Sequence, residues 1–257
     1  MGGATDEPRA AEPGARTVWR RLGWRQRATL ASHLFKAVAY QHHRPLIPLL
    51  RRYVPDEAIV VDVGAHAGQF TKIFSRLARR GRVFAFEPGS YARLVLATAV
   101  RLRRLANVTI VPAGLGERAG AATLSVPLKP SGSIGFGLSH FGADDRGRPV
   151  LSETVSLTTL DEFAAQIRLT RLDFIKADIE GWELHMLRGA ARVLARHRPA
   201  LLLEVADCHL RRAGDSSVAL WSFLAELGYR ARPITDGIVG AVASRLEGDG
   251  DYLFLPD

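Results

Sequence analysis

The sequence predicts one α/β domain built on a doubly wound, mostly parallel sheet, with helices on both faces and a helical extension at the N-terminus. Apolar runs of strand length alternate with stretches of helical length from residue 58 onward. A glycine-containing turn follows the first of these runs, as it does where such a domain begins a nucleotide site. The chain has 257 residues and is 47% hydrophobic, which suits one well-buried domain plus a short extension.

The first half of the domain shows a regular alternation. The pattern predicts strands over residues 58–63, 83–87 and 108–111, and helices over 68–79 and 90–105. This βαβαβ order is half of a doubly wound sheet. An extra strand is expected over 121–127, and a Gly-rich run follows from 130 to 149.

The second half resumes the alternation after the Gly-rich run. We expect a helix start near 158–163, strands over 172–178 and 200–205, and helices over 182–196 and from Asp215 or Ser216 to Gly228. Two further strands, near 229–232 and 252–255, would complete the sheet.

The N-terminal region differs from the rest in composition. Residues 1–15 are rich in Gly, Ala, Pro and charge and lack an apolar segment, so we interpret them as a disordered tail and not as a signal peptide or membrane span. Residues 16–52 are expected to form a basic helical extension, and residues 53–257 the domain proper. The extension either packs its apolar stripe on the domain or makes a peripheral contact with an anionic membrane, and the sequence favours packing.

Charge and cysteine content limit the partners and the compartment. Residues 1–52 carry ten Lys and Arg against three Asp and Glu, which accounts for +7 of the formal net charge of +9. The remaining residues are almost neutral, so no nucleic-acid partner is expected. Cys208 is the only cysteine; no internal disulfide can form, and a cytoplasmic location is expected.

The turn after the first strand indicates the type of nucleotide. In the sequence DVGAHAGQFT that begins at Asp62, His66 and Gln69 stand where a dinucleotide-binding turn needs glycines. The spacing Asp62-x-Gly64-x-x-x-Gly68 is closer to the form that binds S-adenosylmethionine. Its glycines let the backbone approach the ligand without a Cβ in the way, and Asp62 supplies a polar group.

Carboxylates stand at the ends of the first, second, fourth and fifth expected strands of the sheet. They are Asp62, Glu87, Asp178 with Glu180, and Glu204. Because ligands of an open α/β sheet bind outside the carboxyl ends of its strands, we expect these side chains to share one site. Glu87 ends the second strand, where its two oxygens can accept both hydroxyls of a ribose.

Five segments together resemble the FkbM-type methyltransferases. They are DVGAHAGQFT at 62–71, FAFEP at 84–88, TLD at 159–161, DFIKADIEG at 173–181 and LRGA at 187–190. The resemblance covers roughly residues 58–205. It implies a Rossmann-like class I methyltransferase fold, with a mostly parallel seven-stranded sheet whose last strand is antiparallel.

The resemblance also implies a cofactor. S-adenosylmethionine would bind at Asp62, Gly64, His66 and Gly68, with Glu87 on its ribose. His66 stands where the family usually has Asn. In the turn it either touches a ligand or tolerates an unusual backbone angle, as Asn does.

The reaction implied by the resemblance is O-methylation of a hydroxyl on a sugar, glycolipid or polyketide-type small molecule. A hydroxyl is a poor nucleophile at neutral pH and needs a base or a metal. The candidates are Asp178, Glu180, Glu204 and His209. Either one of them accepts the proton directly, or Asp178 and Glu204 hold Mg²⁺. Two carboxylates are few ligands for this metal, so direct base catalysis is favoured.

Other interpretations stay open. The Gly-rich segment 130–141 is either a mobile acceptor lid, with Phe136 and Phe141 on a sugar face, or an ordinary loop. An NAD-dependent sugar oxidoreductase would have to tolerate the wrong glycine spacing, and the chain lacks a Tyr-x-x-x-Lys pair. A non-catalytic, membrane-associated binding module would use the basic extension. The acceptor and the oligomeric state do not follow from the sequence.

Overall fold

The computed structural model of the protein describes residues 24–127, 140–141, 150–246 and 248–257. The expected tail, the first part of the expected extension and most of the Gly-rich segment, including Phe136, lie outside these residues.

The helices and strands are numbered here in chain order. The α-helices are α1 Trp24–Ala39, α2 Ile47–Tyr53, α3 Gln69–Leu77, α4 Ser90–Leu102, α5 Leu160–Gln166, α6 Glu183–Arg188, α7 Ala191–His197, α8 Asp207–Arg212 and α9 Ser217–Glu226, with a 3-10 turn at Arg44–Leu46. The strands are β1 Ile59–Val63, β2 Arg82–Phe86, β3 Val108–Val111, β4 Gly114–Leu115, β5 Gly120–Pro127, β6 His140–Phe141, β7 Val150–Thr158, β8 Phe174–Ala177, β9 Ala200–Val205, β10 Tyr229–Thr235, β11 Ile238–Val239 and β12 Gly250–Pro256.

The main sheet confirms the predicted α/β class. Its strand order is β11-β10-β12-β9-β8-β1-β2-β3. The five strands from β9 to β3 are parallel, and β12 pairs antiparallel with β9, as expected for the last strand. The sheet has eight strands in place of the predicted seven, because the chain turns after β10 and forms the two-residue strand β11 antiparallel to it.

One local prediction is confirmed and one needs correction. The extra strand expected over 121–127 is β5, which pairs antiparallel with β7 in a second, four-stranded sheet. The helix expected over 182–196 is two helices, α6 and α7. The Asp161 carboxylate explains the second start, because it accepts the backbone N–H groups of Arg192 and Val193 at 3.1 and 2.9 Å and so caps α7.

The core lies on both faces of the main sheet. Along β1, Val61 and Val63 pack in one apolar cluster with residues of α5, α6 and α7, whereas Val60 packs in the opposite cluster with residues of α2 and α3. This division follows the alternation of side chains along a strand. Burial on both faces explains why the parallel strands are almost continuously apolar.

The helix α1 packs on the domain through its apolar stripe. Leu30 and Ala37 are buried against Val95 and Ala99 of α4. On the other side of α1, Phe35 is 63% exposed. Within the described part of the chain, every helix is too short or too polar to cross a membrane.

A buried lysine fixes the end of α1. Lys72 of α3 is 1% exposed, and its ammonium donates to the carbonyls of Ala37 and Tyr40, both at 2.6 Å. Burial, with help from two neighbouring arginines, lowers the pKa of Lys72 to about 8, so the amine still carries its charge at pH 7. These bonds satisfy two carbonyls that a helix end leaves free.

We predict that Lys72→Met lowers the free energy of unfolding by about 1–3 kcal/mol, because two carbonyls at the end of α1 lose their donor. Urea denaturation measures this change. Lys36→Met is the matched control, since Lys36 is an exposed lysine near the end of α1. Equal midpoints for Lys72→Met and wild type would contradict the anchoring role.

Candidate active site

The turn after β1 and the loop after β8 meet at the carboxyl ends of the parallel strands. Gly64 has a φ of +70°, and a Cβ at this position would lie 2.1 Å from the carbonyl oxygen of Asp178. Only a residue without a Cβ fits both this backbone angle and this contact. The two segments therefore touch, and the cleft opens beside them.

Asp62 holds the turn and does not line the cleft. Its side chain is fully buried, and it accepts the hydroxyl of Thr71 at 2.5 Å. Burial raises the pKa of Asp62. The contact ties α3 to the end of β1, which places the N-terminus of α3 at the cleft. The sequence predicts a direct contact between Asp62 and the cofactor. In the structure, the Asp62 carboxylate has no exposed surface for such a contact.

Glu87 follows β2 and lines the cleft. Its carboxylate accepts the backbone N–H of His66 at 2.8 Å and that of Gly89 at 2.9 Å. Burial raises the pKa of Glu87 to about 7, against the opposing effect of these two bonds. The turn after β1 and the end of β2 are thus joined through this side chain.

The backbone angle of His66 accounts for a histidine at the position where the resemblance leads one to expect Asn. Its φ is 51°, in the left-handed region, where Asn is enriched and most other residues are uncommon. The backbone N–H of His66, and not its imidazole, makes the bond to Glu87. Its position in the turn is therefore compatible with a requirement for backbone shape, and the residue lines the cleft as well.

Lys176 is the central charge of the site. Its side chain is almost fully buried, and its ammonium lies 3.3 Å from Asp178 Oδ2 and 5.0 Å from the centre of the Phe70 ring. Burial acts against this charge, but the carboxylates of Asp178 and Asp62 raise the pKa of Lys176. The ammonium therefore stays charged inside the site.

Asp178 and Glu204 are neighbouring carboxyl groups beside Lys176, and their pKa values are coupled through a proton that they can share. Burial would raise the pKa of Asp178, but Lys176 and the bond from Glu204 lower it below its usual range. The same bond, followed by burial, raises the pKa of Glu204. Lys176 therefore favours the ionised form of Asp178, and the interaction with Asp178 favours the protonated form of Glu204.

A smaller cavity adjoins the cleft next to this pair. Glu204 and Asp251 line it from neighbouring strands, because they are register partners on β9 and β12. Burial raises the pKa of Asp251, and the nearby charge of Asp178 adds to this effect. His43, Phe70, Lys176 and Asp178 line both the cleft and the smaller cavity.

A second pair, Glu180 and His209, lies on the other side of the loop after β8. His209 Nδ1 is 3.0 Å from Glu180 Oε2. A Cβ at Gly181, whose φ is +102°, would lie 2.2 Å from the His209 carbonyl oxygen. The loop is further held by Glu183, which accepts the N–H groups of Ile179 and Gly181.

The predicted site residues separate into two groups. Gly64, His66, Glu87, Asp178 and Glu180 line the cleft. Four others contribute indirectly or elsewhere: Asp62 is buried below the turn, Gly68 precedes α3 as its N-cap, Glu204 lines the smaller cavity, and His209 reaches the cleft through Glu180. Phe141, a residue of the expected lid, also lines the cleft.

Sequence reasoning missed four residues of the site. Lys176 could have been found, because in a strand the side chain two residues before Asp178 points to the same side. Phe70 follows the turn directly. No sequence signal places Asp251 or His43 here, since they reach the site through strand pairing and through the packing of the extension.

Comparison with known proteins assigns the family. A family model described as the methyltransferase FkbM domain matches residues 62–231. This chain belongs to the FkbM methyltransferase family. Methyltransferase 1 of Beauveria bassiana is 28% identical over 147 residues, which cover 52% of this chain and 59% of that protein. Methyltransferase sdnD of Sordaria araneosa is 26% identical over 159 residues, which cover 53% of this chain and 61% of sdnD.

A solved structure supports the fold of this family member. The FkbM methyltransferase from Methylobacillus flagellatus KT matches with a TM-score of 0.50 at 20% identity, over 78% of this chain and 44% of that chain. The chain spans about three fifths of the length of the two relatives named above.

We predict that Gly64→Ala destabilises the protein more than Gly214→Ala. Both glycines have a positive φ, but only Gly64 has an atom in the way of a Cβ. The control variant Gly214→Ala therefore has the backbone strain of about 1–2 kcal/mol but no clash between the new Cβ and another atom. Thermal denaturation of both variants measures the difference, and equal losses would show that the close approach of the two segments is unimportant.

Proposed function

We propose that this chain transfers a methyl group from S-adenosylmethionine to a hydroxyl of a small acceptor, such as a sugar, glycolipid or polyketide-type molecule. The observation that carries the proposal is the position of Glu87. Its buried carboxylate lines the same cleft as the glycine turn after β1 and the carboxylates of the loop after β8. Membership of the FkbM family supports the same reaction class.

The cleft residues fit this cofactor. Each carboxylate oxygen has two lone pairs, and the two N–H groups bound to Glu87 use one on each oxygen. The remaining lone pairs can accept two ribose hydroxyls. Leu124 and Phe141 give the cleft apolar surface on which the adenine ring of the cofactor can pack. Gly64 leaves room where the backbone must approach the ligand.

Glu180 is the proposed base for the acceptor hydroxyl. It lines the cleft, and its Oε2 lies 3.0 Å from His209 Nδ1, so a proton taken from the acceptor can pass to an imidazole. Asp178 is held ionised by Lys176 and is therefore a weaker proton acceptor. Its proposed role is to orient the hydroxyl and to face the positive sulfonium. The cofactor supplies the methyl group as this sulfonium.

Direct proton transfer suits the charges better than a magnesium site. The Lys176 ammonium is 3.3 Å from Asp178 and already neutralises the carboxylate that would bind the metal. The interaction with Asp178 raises the pKa of Glu204, which makes this carboxylate a weaker ligand for a metal. The arrangement thus favours proton transfer between side chains.

Calorimetric titration with S-adenosylmethionine, S-adenosylhomocysteine and NAD tests the proposal against the oxidoreductase alternative. Binding of the first two, without NAD, is expected. Tritium transfer from labelled S-adenosylmethionine to a panel of sugars and hydroxylated polyketides then tests the acceptor class. Binding of NAD alone would refute the proposed function.

We predict that S-adenosylhomocysteine binds about tenfold more weakly at pH 6 than at pH 8, because a Glu87 of pKa about 7 is mostly protonated one pH unit below that value and cannot accept both hydroxyls. The sign follows from the raised pKa: affinity increases as pH rises through 7. Titration at both pH values measures it. In Glu87→Gln the pH dependence should disappear, and its persistence would assign it to another group.

We predict that Glu180→Gln lowers kcat by about 10²–10⁴-fold while the affinity for S-adenosylhomocysteine stays within about threefold, because only the proton acceptor is lost. Glu226→Gln is the matched control, at an exposed residue of α9. Turnover of a substrate from the acceptor panel measures kcat. Unchanged turnover in Glu180→Gln would remove this residue as the base.

A further inference from the structure

The segment between α1 and α2 is fixed over the start of α3. Gln69, the first residue of α3, accepts the Gln41 side-chain amide on its carbonyl at 2.9 Å. Its side-chain oxygen accepts the backbone N–H of His42 at 3.1 Å. Together with the two bonds from Lys72, these contacts hold residues 40–43 beside the turn that begins the cleft.

This placement brings His43 into the site. Its backbone is left-handed, with a φ of 58°, and its imidazole stacks on the Phe70 ring at 4.5 Å between centroids with an angle of 25°. The Lys176 ammonium lies 5.0 Å from the centre of the same ring. His43 lines the cleft and also the smaller cavity bounded by Glu204.

The strand order shows which end of the cleft His43 occupies. β8 and β2 lie on opposite sides of β1, so Lys176 and Asp178 mark one end and Glu87 the other. His43 belongs to the end with Lys176 and Asp178. Burial, then the charge of Lys176, lowers the pKa of His43, which favours a neutral imidazole able both to donate and to accept a hydrogen bond.

We propose that the His43 imidazole, carried by the N-terminal extension, is a wall of this cleft and contacts bound S-adenosylmethionine at the end from which the methyl group is transferred. The inference rests on the proposed function, because it takes the cleft to be the cofactor site. It makes the extension a part of the active site, and it assigns a binding role to a residue outside the segments that identify the family.

Histidine footprinting with diethyl pyrocarbonate tests this contact on the wild-type chain. Modification is followed by mass spectrometry with and without saturating S-adenosylhomocysteine. His42 is the internal control, because both histidines are exposed and only His43 lines the cleft and the smaller cavity. The inference predicts that the ligand slows modification of His43 and leaves His42 unchanged. Equal rates at His43 with and without ligand, or equal protection of both histidines, would overturn it.

Variants give a second measurement. His43→Ala is expected to weaken S-adenosylhomocysteine binding about fivefold, as for loss of one aromatic or polar contact, whereas His42→Ala changes it by less than about twofold. Thermal denaturation of both variants verifies folding. Equal affinities of the two variants would overturn the inference. Failure of the wild-type chain to bind the ligand would instead refute the proposed function itself, so the two failures can be told apart.

Discussion

The close contact between the turn after β1 and the loop after β8 determines the rest of the site. The carbonyl of Asp178 occupies the space that a side chain at Gly64 would need. This contact brings together residues from separate parts of the chain: the turn with its bond to Glu87, and the loop with Asp178 and Glu180. Parallel pairing of β1 with β8 supplies the register. Asp62 holds the turn through Thr71, and Glu183 holds the loop by accepting two of its backbone N–H groups.

Charge balance is the second organising feature. One buried ammonium, on Lys176, faces several carboxylates. It lowers the pKa of Asp178, and the interaction with Asp178 raises the pKa of Glu204. The pKa values of these two carboxylates, the half-buried Asp178 and the exposed Glu204, therefore shift in opposite directions. Separate environments for neighbouring acids are a common way in which enzymes divide acid and base roles.

Much of the fold could be predicted because its signals are local. Apolar strand runs, the glycine turn and the carboxylates at strand ends depend on adjacent residues, and the structure confirms the α/β class that they predict. The predictions failed where such local signals are missing. Strand β11 has two residues, which are too few to show an alternation. The capping of α7 by Asp161 depends on a contact between distant segments. The same reason explains why Asp251 and His43 were not foreseen in the site, whereas Glu87 and Asp178 were.

We propose that the cleft beside Gly64 holds S-adenosylmethionine with its ribose on Glu87. A crystal structure of the protein with S-adenosylhomocysteine tests this placement. We expect both ribose hydroxyls within about 3.2 Å of the Glu87 oxygens, with the ligand sulfur at the Asp178 end of the cleft. A ligand bound elsewhere, or with its ribose away from Glu87, would refute the proposed placement.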